Sequence, residues 1–308
     1  MGRWTENDIE EQAGRTVLVT GANSGLGFET ARALAAHGAR VLMTARDESK
    51  GLAAAARVRD ESPGADVELV LLDLADLDDV RRAVDQLDGP LDVLINNAGV
   101  MMPPRSLSPQ GQELQFATNH LGHFALTGLL LDRLRASADA GRDARVVTVS
   151  SMLHRNGRIH YDDITGERGY SPTGFYGQSK FANVLFGLEL DRRLRSAGSG
   201  VRSVLAHPGY AATHLQSSGP TGIMKQLMAI GNRVMAQSAA AGARSELYAA
   251  TAPGVSGGEY IGPDGIGEQR GHPKVVQPVG RATDRADARR LWDLSEELTG
   301  VHYDLPDR

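Results

Sequence analysis

The stretch TVLVTGANSGLGFETARALAAHG, residues 16–38, decides the fold. Thr16–Thr20 is a run rich in β-branched residues that stops at a glycine, and Gly25–His37 carries Leu26, Thr30, Ala33 and Leu34 at helical spacing. Strand, glycine-rich turn and helix in that order open a βαβ unit. Gly21, Gly25 and Gly27 let the backbone turn tightly and come close to a ligand. Asn23, Ser24 and Leu26 complete the turn, and the helix start supplies free N–H groups and positive potential suited to a pyrophosphate. Such a turn is often only a turn. Its place at the head of an alternating series gives it weight.

Outward from that stretch the alternation continues. Arg40–Thr44, Val67–Leu72, Leu91–Ile95, Arg145–Ser150, Val201–His207 and Glu259–Ile261 read as strands. Helices are expected at 48–60, 76–87, 112–137 with a bend near Gly122, 175–197, 235–251 and 284–298. This order predicts an α/β fold: a Rossmann-type, doubly wound parallel sheet of about seven strands, with helices on both faces, in a single domain. The expected divisions are an N-terminal extension (1–14), the main domain (15–262) with a substrate lid at 207–237, and a C-terminal loop and helix (263–308) packing on the same domain. Gly262–Gly280, rich in glycine and proline, reads as loop.

Composition narrows the class. The 308 residues carry a formal charge of −5 and no cysteine. That argues against a nucleic-acid surface, and it removes disulfides and thiolate chemistry. Acidic residues Glu6, Asp8, Glu10 and Glu11 replace the positive start of a secretory signal. The apolar run at 126–131 is far short of the ~20 residues a spanning helix needs. A cytoplasmic protein without a membrane span is expected.

The end of the second strand bears on cofactor choice. NAD-preferring enzymes usually place a carboxylate there for the ribose hydroxyls. Here Met43-Thr44-Ala45 leads directly to Arg46, whose planar fork suits a 2′-phosphate. Asp47 is expected to cap the next helix. NADP(H) is therefore expected, unless Arg46 is only a solvated charge. Asp73, with Leu74 beside it, could accept from an adenine amino group or merely cap a turn. Asn97, Ala98 and Gly99, in the run from Asn96, would let a ribose lie against the backbone or simply end a strand.

Tyr176-Gly177-Gln178-Ser179-Lys180 places a phenol and an amine on one helical face. A free phenol titrates near ~10, and a nearby ammonium favours the phenolate. Tyr176 would then exchange a proton with a carbonyl or alcohol oxygen, and Lys180 would also hold the nicotinamide ribose. Ser150 and Ser151 end the fifth strand, where a hydroxyl can steady a substrate oxygen. No Gly-x-Ser-x-Gly elbow surrounds them, so a serine hydrolase is not indicated. Asn119 falls inside a helix despite its mediocre helix propensity, which suggests a polar task such as bridging to Lys180 through water. His120, His123, His154 and His160 read as decoys, because no cysteine or carboxylate set accompanies them; no metal site is expected.

Together these segments resemble the short-chain dehydrogenase/reductase family. The carrying motifs are TGANSGLG (20–27), NNAG (96–99), Asn119, Ser150-Ser151, YGQSK (176–180) and HPGY (207–210), in the family's order from about Thr16 to Ile261. Within it, residues 20–51, SSMLHRNGRIHYDDI (150–164) and FYGQSKFANVLFGLEL (175–190) are most similar to the retinol dehydrogenase-like group. The resemblance implies Asn119, Ser151, Tyr176 and Lys180 as catalytic residues. It chooses Ser151 over Ser150 because the family's active serine is usually the second. It implies NADP(H) through Arg46, and contacts to the nicotinamide carboxamide from Pro208, Gly209 and Thr213. The anchor that many retinol dehydrogenases carry is not seen, which counts against membrane-dissolved retinoids.

The segment 214–237 contains Leu215, Ile223, Met224 and Met228, which would form an adaptable apolar lid or simply pack it to the core. A small-molecule carbonyl or alcohol, bulky and lipophilic, is the expected substrate. A homo-oligomer is possible through the apolar faces of helices 112–137 and 175–197, though a core face reads identically. Two rival readings are a protochlorophyllide reductase-like C=C reductase and a non-catalytic nucleotide sensor. The absence of cysteine weighs against the first. Retention of Tyr176, Lys180, Ser151 and Asn119 weighs against the second.

Overall fold

The computed structural model describes residues 3–210 and 238–306. Eight strands form one sheet in the order β3-β2-β1-β4-β5-β6-β7-β8. They are β1 (Thr16–Val19), β2 (Arg40–Ala45), β3 (Val67–Leu71), β4 (Val93–Asn96), β5 (Arg145–Val149), β6 (Arg202–Ala206), β7 (Tyr260–Pro263) and β8 (Pro273–Val276). All neighbours run parallel except β7 and β8. The strand order reverses between β1 and β4, and open α/β sheets bind ligands at such a point.

Side chains along each strand alternate between two cores, as the two-residue period of a strand requires. Val17, Val19, Val41 and Met43 face one core, and Leu18, Leu42 and Leu94 the other. On the first face lie α1 (Gly25–Ala36) and α2 (Glu48–Glu61), with α6 (Ala239–Thr251). On the second lie α3 (Leu77–Asp85), α4 (Gly122–Asp139), α5 (Pro172–Ser196) and α7 (Arg285–Thr299). Asp47 caps α2 by accepting from Lys50 N at 3.0 Å.

The fold departs from the sequence reading at its edge strand, and it gives a definite form to the bend expected near Gly122. The loop expected at 262–280 contains β8, an eighth strand paired antiparallel at the sheet edge. It is short and begins with Pro273, a position where a missing N–H is tolerated. The helix expected at 112–137 is broken next to the expected bend at Gly122: a short turn Leu114–Phe116 leads into a π-turn, Ala117–Leu121, before α4 begins at Gly122. There is no room for a side chain at Gly122, since a Cβ would meet Leu74 Cβ at 2.9 Å. The π-turn carries Asn119.

The apolar faces of α4 and α5 are occupied within the chain. Phe124, Phe186, Leu190 and Leu194 pack with Trp292 of α7 and with Val301, Tyr303 and Leu305. Trp292 lies 4.6 Å from Tyr303 and 5.2 Å from Phe124, ring centre to ring centre.

A buried carboxyl ties the first face together. Glu246 of α6 is fully buried and accepts from the Thr30 hydroxyl of α1 at 3.1 Å. Burial pushes its pKa up to about 8. The folded state therefore holds a proton that the unfolded chain releases near its ordinary value of 4.5, so stability falls as pH rises from about 4.5 to about 8. Glu246→Gln should melt close to wild type at pH 5 and above it at pH 8. A variant that melts lower at pH 8 contradicts this account.

Candidate active site

The glycine-rich turn has the shape of a cradle. Gly21 adopts φ +65° and Gly25 φ +58°, which glycine alone takes readily. A Cβ on Gly21 would lie 2.9 Å from Ala98 Cβ, and one on Gly27 2.5 Å from Gly21 O. The turn is held to β2 by Gly21 N donating to Thr44 Oγ1 (3.2 Å) and Ala22 N to Thr44 O (2.9 Å). Ser24 stands at the N-cap of α1 without a side-chain capping bond. The first bond back into the helix is Phe28 N to Ser24 O at 3.3 Å, so the N–H groups of Gly25, Leu26 and Gly27 stay available to an anion.

Thr20 links this turn to the next strand end. Its hydroxyl accepts from Asn97 N and Ala98 N, both at 2.9 Å, and Asn97 Nδ2 donates to Thr20 O at 2.6 Å. Asn97, Ala98 and Gly99 are half-buried beside the turn, as is Asn23. Arg46 is exposed and makes no ion pair with any described residue, while the neighbouring carboxylate of Asp47 is engaged by Lys50. Asp73 accepts from Ala75 N at 2.9 Å, the turn-capping use that its position allowed. Leu74 is buried behind it.

Asn119 is a clamp. Its Oδ1 accepts from Val100 N at 2.7 Å, and its Nδ2 donates to Val100 O and Ser179 Oγ, each at 2.9 Å. Ser179 in turn donates to Tyr176 O at 2.9 Å. The π-turn is thereby tied both to the chain after NNAG and to the first turns of α5. A Cβ on Gly99 would lie 3.0 Å from Asn119 Oδ1 and 3.7 Å from Lys180 Nζ, so these groups converge where a glycine leaves space.

Tyr176 and Lys180 are both buried, and Lys180 Nζ sits 5.9 Å from the Tyr176 ring centre. Lys180 donates to Val149 O at 3.1 Å. The two serines separate clearly. Ser150 is buried and donates to Lys180 O at 2.8 Å, whereas Ser151 is half-buried, with Oγ accepting from Leu153 N at 3.2 Å.

The electrostatics differ from the sequence expectation. Burial pushes Tyr176 up to about 12, against the opposing pull of the Ser151 hydroxyl. Lys180 does not make the phenol acidic here, because desolvation disfavours the phenolate most and the ammonium lies 5.9 Å from the ring centre. Burial also brings Lys180 down to about 8.

A sequence model for the short chain dehydrogenase family matches residues 15–222. The chain belongs to the short-chain dehydrogenase/reductase family. It is retinol dehydrogenase-like: retinol dehydrogenase 14 of Mus musculus is 39% identical over 304 residues, covering 94% of this chain and 86% of the relative. Polyprenol dehydrogenase of Mus musculus is 40% identical over 298 residues, covering 95% and 86%. A solved, uncharacterised protein from Mycobacterium paratuberculosis is 44% identical, covering 99% of this chain and 100% of that one, with a TM-score of 0.81. This short-chain dehydrogenase is thus an oxidoreductase of a family that binds nicotinamide dinucleotides.

Some predicted groups lie elsewhere or were not singled out. Pro208 and Gly209 follow β6, with Gly209 at φ +69°; Thr213 and the apolar segment 214–237 fall outside the described residues. His154, read as a decoy, is buried and supports Ser151: its Nδ1 donates to Ser151 O at 2.6 Å, and its Nε2 accepts from Val279 N at 3.2 Å. Only the tertiary fold brings Val279 to it. Among the described residues no cluster of three metal-ligating side chains exists, and no helix is long and apolar enough to cross a membrane.

The buried ammonium has a testable cost. Below about pH 8 Lys180 is charged in both states, and its desolvation opposes folding in full. As pH rises from about 8 towards the unfolded value of 10.5, the folded state loses the proton first and stability increases. Lys180→Met of this short-chain dehydrogenase should melt at or above wild type at pH 7, with the gap closing by pH 10. A large loss of melting temperature at pH 7 contradicts this.

Proposed function

We propose that the chain is an NADP(H)-dependent oxidoreductase that interconverts a carbonyl and an alcohol on a lipophilic small molecule, with Tyr176 as general acid and base. The observation that carries this reading is the buried phenol of Tyr176, whose pKa the Ser151 hydroxyl lowers, beside Lys180 and the space left by Gly99.

A nicotinamide dinucleotide held there would supply the hydride, or take it in the reverse direction. Gly21, Asn23, Ser24, Gly25, Leu26 and Gly27 would hold the pyrophosphate. Asp73 and Leu74 would bound the adenine, and Asn97, Ala98 and Gly99 the adjoining ribose. Lys180 would hold the nicotinamide ribose, and Pro208, Gly209 and Thr213 the carboxamide. Ser151 donates to the substrate oxygen and steadies its developing negative charge. With its pKa raised to about 12, Tyr176 stays protonated at neutral pH, which is the form needed to give a proton to that oxygen. Lys180, still charged at neutral pH, then stabilises the phenolate left behind. Asn119 keeps α5 in place against the strand ends. The printed names of the relatives, retinol and polyprenol dehydrogenases, support a long apolar alcohol or its carbonyl. The exposed guanidinium of Arg46, without an ion pair among the described residues, supports NADP(H). A cytoplasmic site of action belongs to the same reading and is supported by the lack of cysteine.

Tyr176→Phe should lower kcat by roughly 10²- to 10⁴-fold on an active carbonyl substrate, while NADPH still binds. Turnover followed by NADPH absorbance checks this, and unchanged kcat refutes the assignment. Arg46→Ala should weaken NADPH by about tenfold or more and leave NADH almost unaffected, since a charge-assisted bond contributes ~1.5–3 kcal/mol. An unaltered ratio of the two nucleotides rejects Arg46 as the phosphate reader.

A further inference from the structure

His123 stands on α4, and its two ring nitrogens meet both halves of the site. Nε2 lies 2.9 Å from Thr20 Oγ1, and Nδ1 lies 3.1 Å from the backbone oxygen of Asn119. The ring is buried, at 1% exposure.

Hydrogen-bond accounting settles which nitrogen carries the proton. The oxygen of Asn119 can only accept, so Nδ1 must donate. From the other end, Thr20 Oγ1 already accepts from Asn97 N and Ala98 N, which fills its two lone pairs. It therefore cannot accept from Nε2 and has only its own proton to give. Ile95 O, at 3.2 Å, is the longer alternative for that proton. Both ends give the same result: Nδ1–H donates to Asn119, and a bare Nε2 receives the Thr20 hydroxyl. Burial, which brings the pKa of His123 down to about 3, keeps the ring neutral, and Lys180 acts in the same direction. Thr127, one turn further along α4, accepts from Asn96 Nδ2 at 3.0 Å. The same helix face is thus fastened by polar bonds to two strand ends.

We propose that His123 is a positioning residue: as the neutral Nδ1–H tautomer it holds the Asn119 π-turn and the Thr20 hydroxyl at one spacing, so that the turn that takes the dinucleotide and the helix start bearing Tyr176 and Lys180 stay in register. This rests on the reading of Tyr176, Lys180 and Asn119 as the reaction's groups and of residues 20–27 as the dinucleotide turn. The strut has three links: Asn97 and Ala98 backbone to Thr20, Thr20 to His123, and His123 to Asn119. Loss of the ring breaks the last two and leaves the Thr20 hydroxyl to rotate towards Ile95. The nucleotide-facing backbone and the π-turn then move independently.

The test uses the full chain. Nitrogen-15 NMR of the His123 imidazole at neutral pH, without nucleotide, should show Nδ1 protonated and Nε2 bare. A protonated Nε2 overturns the proposal, whatever any variant does. His123→Phe and Thr20→Val should each weaken NADPH binding, measured by calorimetry, and lower kcat roughly tenfold or more, with the KM of the carbonyl substrate little moved. The double variant should be no worse than the worse single, because both cut one strut. His123→Gln, which keeps one donor and one acceptor, should recover most of the loss. Multiplying losses in the double variant, or no recovery with glutamine, would sink the strut. Failure of the underlying enzyme reading shows separately, as unchanged turnover in Tyr176→Phe, while the tautomer and the coupling in NADPH affinity still answer the question posed for His123.

Discussion

The hydroxyl of Thr20 is where this molecule joins its parts. It ends the first strand, accepts two backbone N–H groups from the fourth, and reaches a histidine on the helix that follows. One oxygen with two lone pairs and one proton has all three in use. The strand order reverses at this place, which opens the crevice, and the hydroxyl bridges the crevice floor. The glycine-rich turn cannot shift without pulling on NNAG, and the π-turn that carries Asn119 is anchored to the same point.

The site around that bridge is electrostatically expensive. Tyr176, Lys180, Glu246 and His123 are all buried, and each has its pKa displaced towards the neutral form by desolvation. An apolar set of similar volume would fold more stably. What the burial gives in return is a phenol that keeps its proton and an ammonium close by, in surroundings where charge interacts strongly. Neutral histidines do the structural work that charged groups could not do cheaply there. His154 supports Ser151 in this way, and His120 donates from Nε2 to Ser295 of α7 at 2.9 Å.

The alternating strands and helices were legible because each central strand is a compact apolar run and each helix has a marked start. β8 was not, since four residues opening with proline in a glycine-rich stretch carry no usable period. The form of the π-turn was not, because it changes the hydrogen-bond register without changing the residue types; a bend near Gly122 and the mediocre helix propensity of Asn119 were its traces. Spacing put Tyr176 and Lys180 on one face but said nothing about water, so the sign of the phenol's shift came out opposite. The two serines differ in a way the residues alone do not reveal: Ser150 is held by α5, whereas the Ser151 hydroxyl acts on the phenol's pKa.

The helix bearing Trp292 has a consequence for biogenesis. Its partners on α4 and α5 are synthesised long before it, so a nascent chain on the ribosome presents Phe124, Phe186 and Leu190 to water until α7 emerges and docks. During that interval the half-made protein exposes a sticky stripe that the finished one conceals. Chaperone dependence should therefore concentrate late in translation, and a bulky C-terminal fusion without a spacer would slow the closing step.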